Sequence, residues 1–289
     1  MQKLFILGNP RSGTSLFRLM LNQHSEIVAP PECGFLQWWY PIYKDWTEKD
    51  NFSNRLELFL SDLFSSKKIE TWELNREKLK NFIIAKNPAD YGALVACVYL
   101  SYESQPDNIR VIADKNNYYI NHIPELKAIW PDAKYIHLIR DGRDVACSYI
   151  DVDKLKTISP YKPTLPVNIE QIALEWIENN TAIAQLNKEN TENFLLVKYE
   201  DIIVQTQKAL TEVCAFLELN FEFNMLDYYR QKDAGKTEPI QTLDWKKKTQ
   251  EKPDHKKINR YKFDLTEEQI KLFNRIAETE LKFYGYTNE

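Results

Sequence analysis

Gly8 and Gly13 bracket a short polar loop, Gly8-Asn9-Pro10-Arg11-Ser12-Gly13, and Thr14 and Ser15 follow it at once. Ahead of the loop stands the apolar run Leu4-Phe5-Ile6-Leu7. Behind it Leu16, Leu19 and Met20 recur at helical spacing. An apolar strand, a glycine-bounded turn and a helix start form the layout of a phosphate cradle. Backbone N–H groups of the turn and of the helix N-terminus converge there, and the helix dipole adds positive potential. The spacing matches the P-loop pattern G-x-x-x-x-G-K-[ST] with one departure, Thr14 in the lysine position. In nucleotide triphosphatases that lysine neutralises the outer phosphates and the Ser/Thr holds Mg²⁺. A loop that lacks it but contains Arg11 suits a single phosphate-like group without a bridging metal. The alternative is a tight strand-to-helix turn with no ligand.

Other residues could join such a site. Arg140 ends the apolar run 134–139, and Ser148 lies eight residues on, two turns into the next helix. An arginine there can grip a phosphate with two parallel hydrogen bonds, and a hydroxyl can add a third. The competing reading is an Arg140–Asp144 ion pair with Ser148 in solvent. Glu32 follows Pro30-Pro31 and is the candidate general base, or else a helix-start carboxylate beside Gly34. His24 and His122 are rival bases. The segment 246–262 carries eight basic residues against Glu251 and Asp254. Such an excess on a net acidic chain fits a flap over a multiply anionic ligand, or a solvated charge run.

The elements that must position these groups are readable from pattern. Strands are expected at 4–7, 26–29, 110–113, 134–139 and 194–197. Helices are expected after residue 15, over 53–102 in three pieces, and at 143–150, 168–187, 206–217 and 266–283. The last opens on Thr266-Glu267-Glu268-Gln269, a capping box, and stops at Gly285. Three prolines between 160 and 166 predict an irregular loop or lid over 157–166. Strands alternating with helices imply a parallel sheet covered on both faces, as one α/β domain over 1–289. The helices of about 35–105 would be an insertion between sheet strands, and about 235–262 a covering segment. Ligands in such sheets bind beyond the carboxyl ends of the strands. That rule gathers Arg11, Glu32, Lys115, Arg140 and Tyr199 into one crevice.

Composition narrows the class. The chain has 289 residues, 43% of them hydrophobic, enough for a large core, and its net charge of −4 argues against a general nucleic-acid binder. No apolar run is long enough to span a membrane. The N-terminus enters the first strand directly, which leaves no room for a signal peptide. Cys33, Cys97, Cys147 and Cys214 are scattered, as in a reduced cytoplasmic protein, and neither they nor the histidines have metal-site spacing. Phe35, Trp38, Trp39, Tyr40, Tyr43 and Trp46 are either core or the wall of a pocket for an apolar or aromatic molecule.

Taken together, Pro10-Arg11-Ser12-Gly13-Thr14-Ser15 resembles the 5′-phosphosulfate loop of sulfotransferases that use 3′-phosphoadenosine 5′-phosphosulfate (PAPS). Arg140 with Ser148 resembles that family's 3′-phosphate site, and Lys198-Tyr199-Glu200-Asp201 the segment whose tyrosine meets adenine. Pro30-Pro31-Glu32 is similar to the catalytic acid position of the bacterial and tyrosylprotein-type branches, and Asp114-Lys115-Asn116 to the lysine after a central strand. The segment 256–261 resembles the C-terminal nucleotide-covering loop, departing from it with Asn259 and Tyr261 where glycine and tryptophan are commoner. The resemblance implies a three-layer, P-loop NTPase-like sulfotransferase fold. It implies PAPS as donor without a metal, held by Arg11, Ser12, Gly13, Thr14, Ser15, Arg140, Ser148, Tyr199, Lys257 and Arg260. Glu32, Lys115 and Arg11 would be catalytic, and the acceptor a hydroxyl of a small molecule. Two other readings stand beside it: a P-loop kinase with Asp114 as Mg²⁺ ligand, and a non-catalytic nucleotide-binding module.

Overall fold

Residues 1–47, 52–103, 105–189, 191–230 and 238–286 are described in the computed structural model. The first three residues of the expected covering segment, 235–237, lie outside them. Five strands, β1 (Gln2–Leu7), β2 (Ile27–Val28), β3 (Val111–Lys115), β4 (Lys134–Ile139) and β5 (Phe194–Lys198), form one sheet in the order β2-β3-β1-β4-β5. Every neighbouring pair is parallel. β1 is central and apolar on both faces, as a strand covered twice must be. Leu4 and Ile6 pack with the helix Thr14–Leu21 and the helices Tyr199–Val204 and Thr206–Phe216. Phe5 and Leu7 face the other way, into a core built from the helices Phe52–Ser65, Arg76–Lys86 and Tyr91–Leu100. The result is a three-layer α/β fold. A third core joins the end of β4 to the helices Gly142–Lys154, Ile169–Glu189 and Glu267–Ile276.

Local chemistry explains the element ends. Asn75 and Asp90 each accept a backbone N–H at a helix start, so the 53–102 region breaks into separate helices there. Thr266 and Gln269 form the expected capping box. The C-terminal helix is nonetheless interrupted: it ends at Ile276 and resumes over Glu278–Phe283. Ala277, a strong helix former, marks no break in sequence.

β3 runs two residues beyond the expected end, so Asp114 and Lys115 are strand residues in register with Phe5 and Ile6. Alternation then sends them to opposite faces. Lys115 lies on the side of the phosphate loop, and Asp114 faces the aromatic core. Of the six clustered aromatics, Phe35, Tyr43 and Trp46 are buried core, whereas Trp38 borders the cleft described below. Segment 157–166 has no helix or strand, as its prolines require.

Candidate active site

The loop after β1 holds its shape by unusual backbone angles. Gly13 has φ 93° and Arg11 φ 68°, a left-handed conformation uncommon for a side-chain-bearing residue. A Cβ on Gly13 would come within 2.4 Å of the Tyr199 ring, so only glycine lets that ring lie against the loop. The helix Thr14–Leu21 that follows has no side-chain cap, which leaves its first N–H groups directed at the cleft. Ser12 is fully buried and its hydroxyl has no hydrogen-bond partner. Thr14 donates to the Asn117 side-chain carbonyl at 3.3 Å.

Arg140 leaves the end of β4 beside this loop. Its Nη1 donates to the Arg11 carbonyl at 3.2 Å and its Nη2 to the Lys257 carbonyl at 2.8 Å. Its guanidinium lies 4.3 Å from the centre of the Tyr199 ring, and its Nε is buried without a partner. Arg11 donates through Nε to Ser148 Oγ at 3.1 Å and through Nη2 to the Trp245 carbonyl at 2.9 Å. Ser148 is therefore buried against Arg11 and not in solvent. Asp144 accepts the backbone N–H groups of Asn259 and Tyr261 at 2.8 and 3.0 Å, tying the C-terminal segment down. Burial, and then the charge of Arg140, lowers the Arg11 pKa to about 10. Two guanidinium groups crowded in this way gain from an anion between them.

In the same cleft, Glu32 Oε2 lies 3.3 Å from Lys115 Nζ, 3.6 Å from Lys68 Nζ and 3.8 Å from Lys246 Nζ. Burial alone would raise the Glu32 pKa. The three lysines, Lys115 foremost, outweigh it and hold the carboxyl well below the usual range. Burial conversely lowers Lys115 to about 8, although Glu32 opposes the shift. Asp114 does not line the cleft. Burial raises its pKa to about 7, and it accepts the Tyr99 hydroxyl in the aromatic core. It is thus turned away from the position that a Mg²⁺ ligand would need. His24 bonds the Asn220 carbonyl and His122 pairs with Glu125, and neither lines the cleft.

The cleft has a volume of about 950 Å³ and opens beyond the carboxyl ends of β1, β3 and β4. Arg11, Gly13, Thr14, Ser15, Glu32, Lys115, Arg140, Ser148, Tyr199, Lys257 and Arg260 all line it; Ser12 lies just beneath. Arg260 is already engaged by Asp151 at 2.8 Å and by Asp264. The proline-rich loop forms the outer wall. Tyr161 donates to Glu70, Thr157 to Asp244, and Ser159 to the Gln241 carbonyl at 2.5 Å.

Sequence reasoning missed Arg18, Glu238 and the particular place of Lys246. Arg18 is wholly buried and donates to Glu238 at 2.7 Å, and Glu238 also accepts from Lys246 at 2.8 Å. A charged residue in an otherwise apolar helix, Leu16-Phe17-Arg18-Leu19, was the available signal for Arg18. Its partner lies 220 residues away.

A family model described as "Sulfotransferase family" matches residues 3–223. Protein-tyrosine sulfotransferase A of Caenorhabditis elegans is 24% identical over 229 residues, which cover 78% of this chain and 52% of that protein. Protein-tyrosine sulfotransferase 1 of Danio rerio is 24% identical over 225 residues, covering 76% and 54%. The chain thus spans about half the length of these curated relatives. Among solved structures, the sulfotransferase domain from the curacin biosynthetic pathway matches with a TM-score of 0.64 at 21% identity, covering 96% of both chains. That of the Synechococcus PCC 7002 olefin synthase matches with a TM-score of 0.60 at 23% identity, covering 96% of this chain and 94% of the other. These structures share its fold. With a family model matched over well more than half of its residues, the chain belongs to the sulfotransferase family.

Proposed function

We propose that the chain transfers a sulfuryl group from PAPS to a hydroxyl group by in-line displacement. The observation that carries this reading is one cleft in which a lysine-free phosphate loop, the Arg140–Ser148 pair and the Glu32–Lys115 pair meet. The donor set fits a nucleotide with separate phosphate groups. Buried, unpartnered Ser12 Oγ and Arg140 Nε and an uncapped helix start are groups that phosphate oxygens would satisfy. PAPS, when bound, supplies a sulfuryl group on a good leaving phosphate.

The chain's own residues have the following roles in this reading. Arg140 and Ser148 bind the 3′-phosphate. Ser148 accepts from Arg11, so its own O–H remains free to donate. The backbone at Gly13, Thr14 and Ser15 receives the phosphosulfate, and Tyr199 faces the adenine. Lys257 closes the site from the C-terminal segment, and Arg260 joins only by leaving Asp151 or Asp264. Arg11 and Lys115 stabilise the charge that builds on the bridging oxygen. Glu32 takes the acceptor's proton. Its three lysine neighbours keep it ionised, and an anionic donor beside them weakens their hold and raises its proton affinity.

Trp38, Tyr118, Leu155, Tyr161 and Leu165 line the outer cleft and suit a small apolar or aromatic acceptor. A tyrosyl hydroxyl of a protein is the second reading, favoured by the names of the curated relatives. Among the described residues no helix is long and apolar enough to cross a membrane, and all four cysteines are free and buried. Free, buried thiols support a reducing, cytoplasmic setting. A screen of phenols, alcohols and tyrosyl peptides with PAPS, read as a product mass gain of one SO₃, tests the reading. Absence of any such product, together with no binding of adenosine 3′,5′-bisphosphate (PAP), would overturn it.

A further inference from the structure

Glu238, with a side chain only 1% exposed, lies behind the Glu32–Lys115 pair. One of its oxygens accepts Arg18 Nη2 at 2.7 Å and the other Lys246 Nζ at 2.8 Å. Arg18 also donates through Nη1 to the Ala29 carbonyl at 2.7 Å, just ahead of Pro30-Pro31-Glu32. Trp245, next to Lys246, gives its carbonyl to Arg11. One carboxylate thereby connects the helix after the phosphate loop, the turn leading to Glu32 and the segment carrying Lys246.

The charges around it are unequal. Among the described residues, Arg18, Lys68, Lys115 and Lys246 share the two carboxylates of Glu32 and Glu238 in these contacts. Lys246 lies between the two carboxylates, 2.8 Å from Glu238 and 3.8 Å from Glu32. Without the negative charge at 238, the contact with Glu32 is the ion pair left to Lys246 among the described residues. Coulomb attraction in so buried a setting would then close that gap.

We propose that Glu238 is a positioning residue for the transfer step, holding Lys246 off Glu32 so that Glu32 stays open to the acceptor hydroxyl. It also supplies counter-charge to Lys115, which otherwise faces Glu32, Lys68 and Lys246. This rests on the transfer reading given above. A buried ion pair can instead be only a staple, costly to break but without part in the reaction.

The test compares Glu238→Gln and Glu238→Asp in the whole chain. Its readouts are PAP affinity, single-turnover conversion of PAPS to PAP with water as the probe acceptor, and NMR titration of ¹³C-labelled lysines. Glu238→Gln is expected to slow turnover about 10-fold while PAP affinity changes by less than about 3-fold. It should also move the Lys115 titration to lower pH by about one unit, since a counter-charge is lost. Glu238→Asp, which keeps the charge, should restore the titration. A folded Glu238→Gln chain with wild-type turnover and an unmoved Lys115 would overturn the proposal and leave Glu238 a staple. Should that variant not fold, Arg18→Met/Glu238→Gln removes both members of the pair and carries the same readouts. A wild-type chain that neither binds PAP nor converts PAPS would sink the transfer reading, while the lysine titration would still decide whether Glu238 sets the charge at Lys115.

Discussion

The two ends of the cleft are built differently. At the arginine end, side chains come from the end of β4, the loop after β1 and the helix Gly142–Lys154, and apart from the Arg11–Ser148 contact the hydrogen bonds of the two arginines run to backbone. Arg140 donates to the carbonyls of Arg11 and Lys257, and Arg11 to that of Trp245. At the outer end the wall is a loop without regular structure, held by side-chain contacts such as Tyr161–Glu70 and Thr157–Asp244, both at the surface. A backbone carbonyl stays in place when its own side chain is substituted, whereas an exposed side-chain contact is lost with its side chain. Under the proposed function, the first end suits the nucleotide and the second the acceptor.

Substitutions can break this contrast. The largest effect belongs to the chemistry between the two ends: Glu32→Gln should lower turnover by about 10²–10⁴-fold while PAP binding persists. Parallel loss of both, measured by calorimetry and transfer rate, would return Glu32 to a structural role. Next comes the arginine end. Arg140→Ala should weaken PAP binding by roughly 10–100-fold and Ser148→Ala by several-fold, with adenosine 5′-phosphate nearly indifferent to either. Equal losses for the two nucleotides would place the 3′-phosphate elsewhere.

A pH profile sharpens the comparison further. Lys115 is protonated below its lowered pKa of about 8 and neutral above it. Transfer should accordingly decline as pH rises through about 8, near tenfold per unit in kcat/KM. Lys115→Arg, ionised throughout, should remove that limb. The smallest effects are expected at the outer wall. Trp38→Ala and Tyr161→Phe should change the acceptor KM by a few-fold and leave PAP affinity alone. A matching change in PAP affinity would mean that the two ends are not independent.

The arginine end was also the more legible in sequence. Its groups follow short, strongly apolar strands, and the rule that ligands lie beyond strand carboxyl ends gathers Arg11, Arg140 and Tyr199, with Glu32 and Lys115, into one crevice without knowledge of strand order. Trp38 could not be separated from Phe35, Tyr43 and Trp46, because aromatic content is the same for a core and for a pocket wall. The eight cations of 246–262 looked equivalent, yet the fold uses them differently: Lys246 is buried against Glu238, Arg260 is spent on Asp151 and Asp264, and Lys256 is exposed. Those assignments depend on contacts across the whole length of the chain. Residue pattern carries periodicity of a few positions, not pairings such as Arg18 with Glu238.

Gly13 has a consequence of its own. A single missing methyl gives the Tyr199 ring its seat, and the same ring also lies against the Arg140 guanidinium. The ring therefore works as a gear between the glycine turn and Arg140. An alanine at 13 would push on both, so under the proposed function damage that starts at the glycine should be read out as weaker binding of the 3′-phosphate by Arg140.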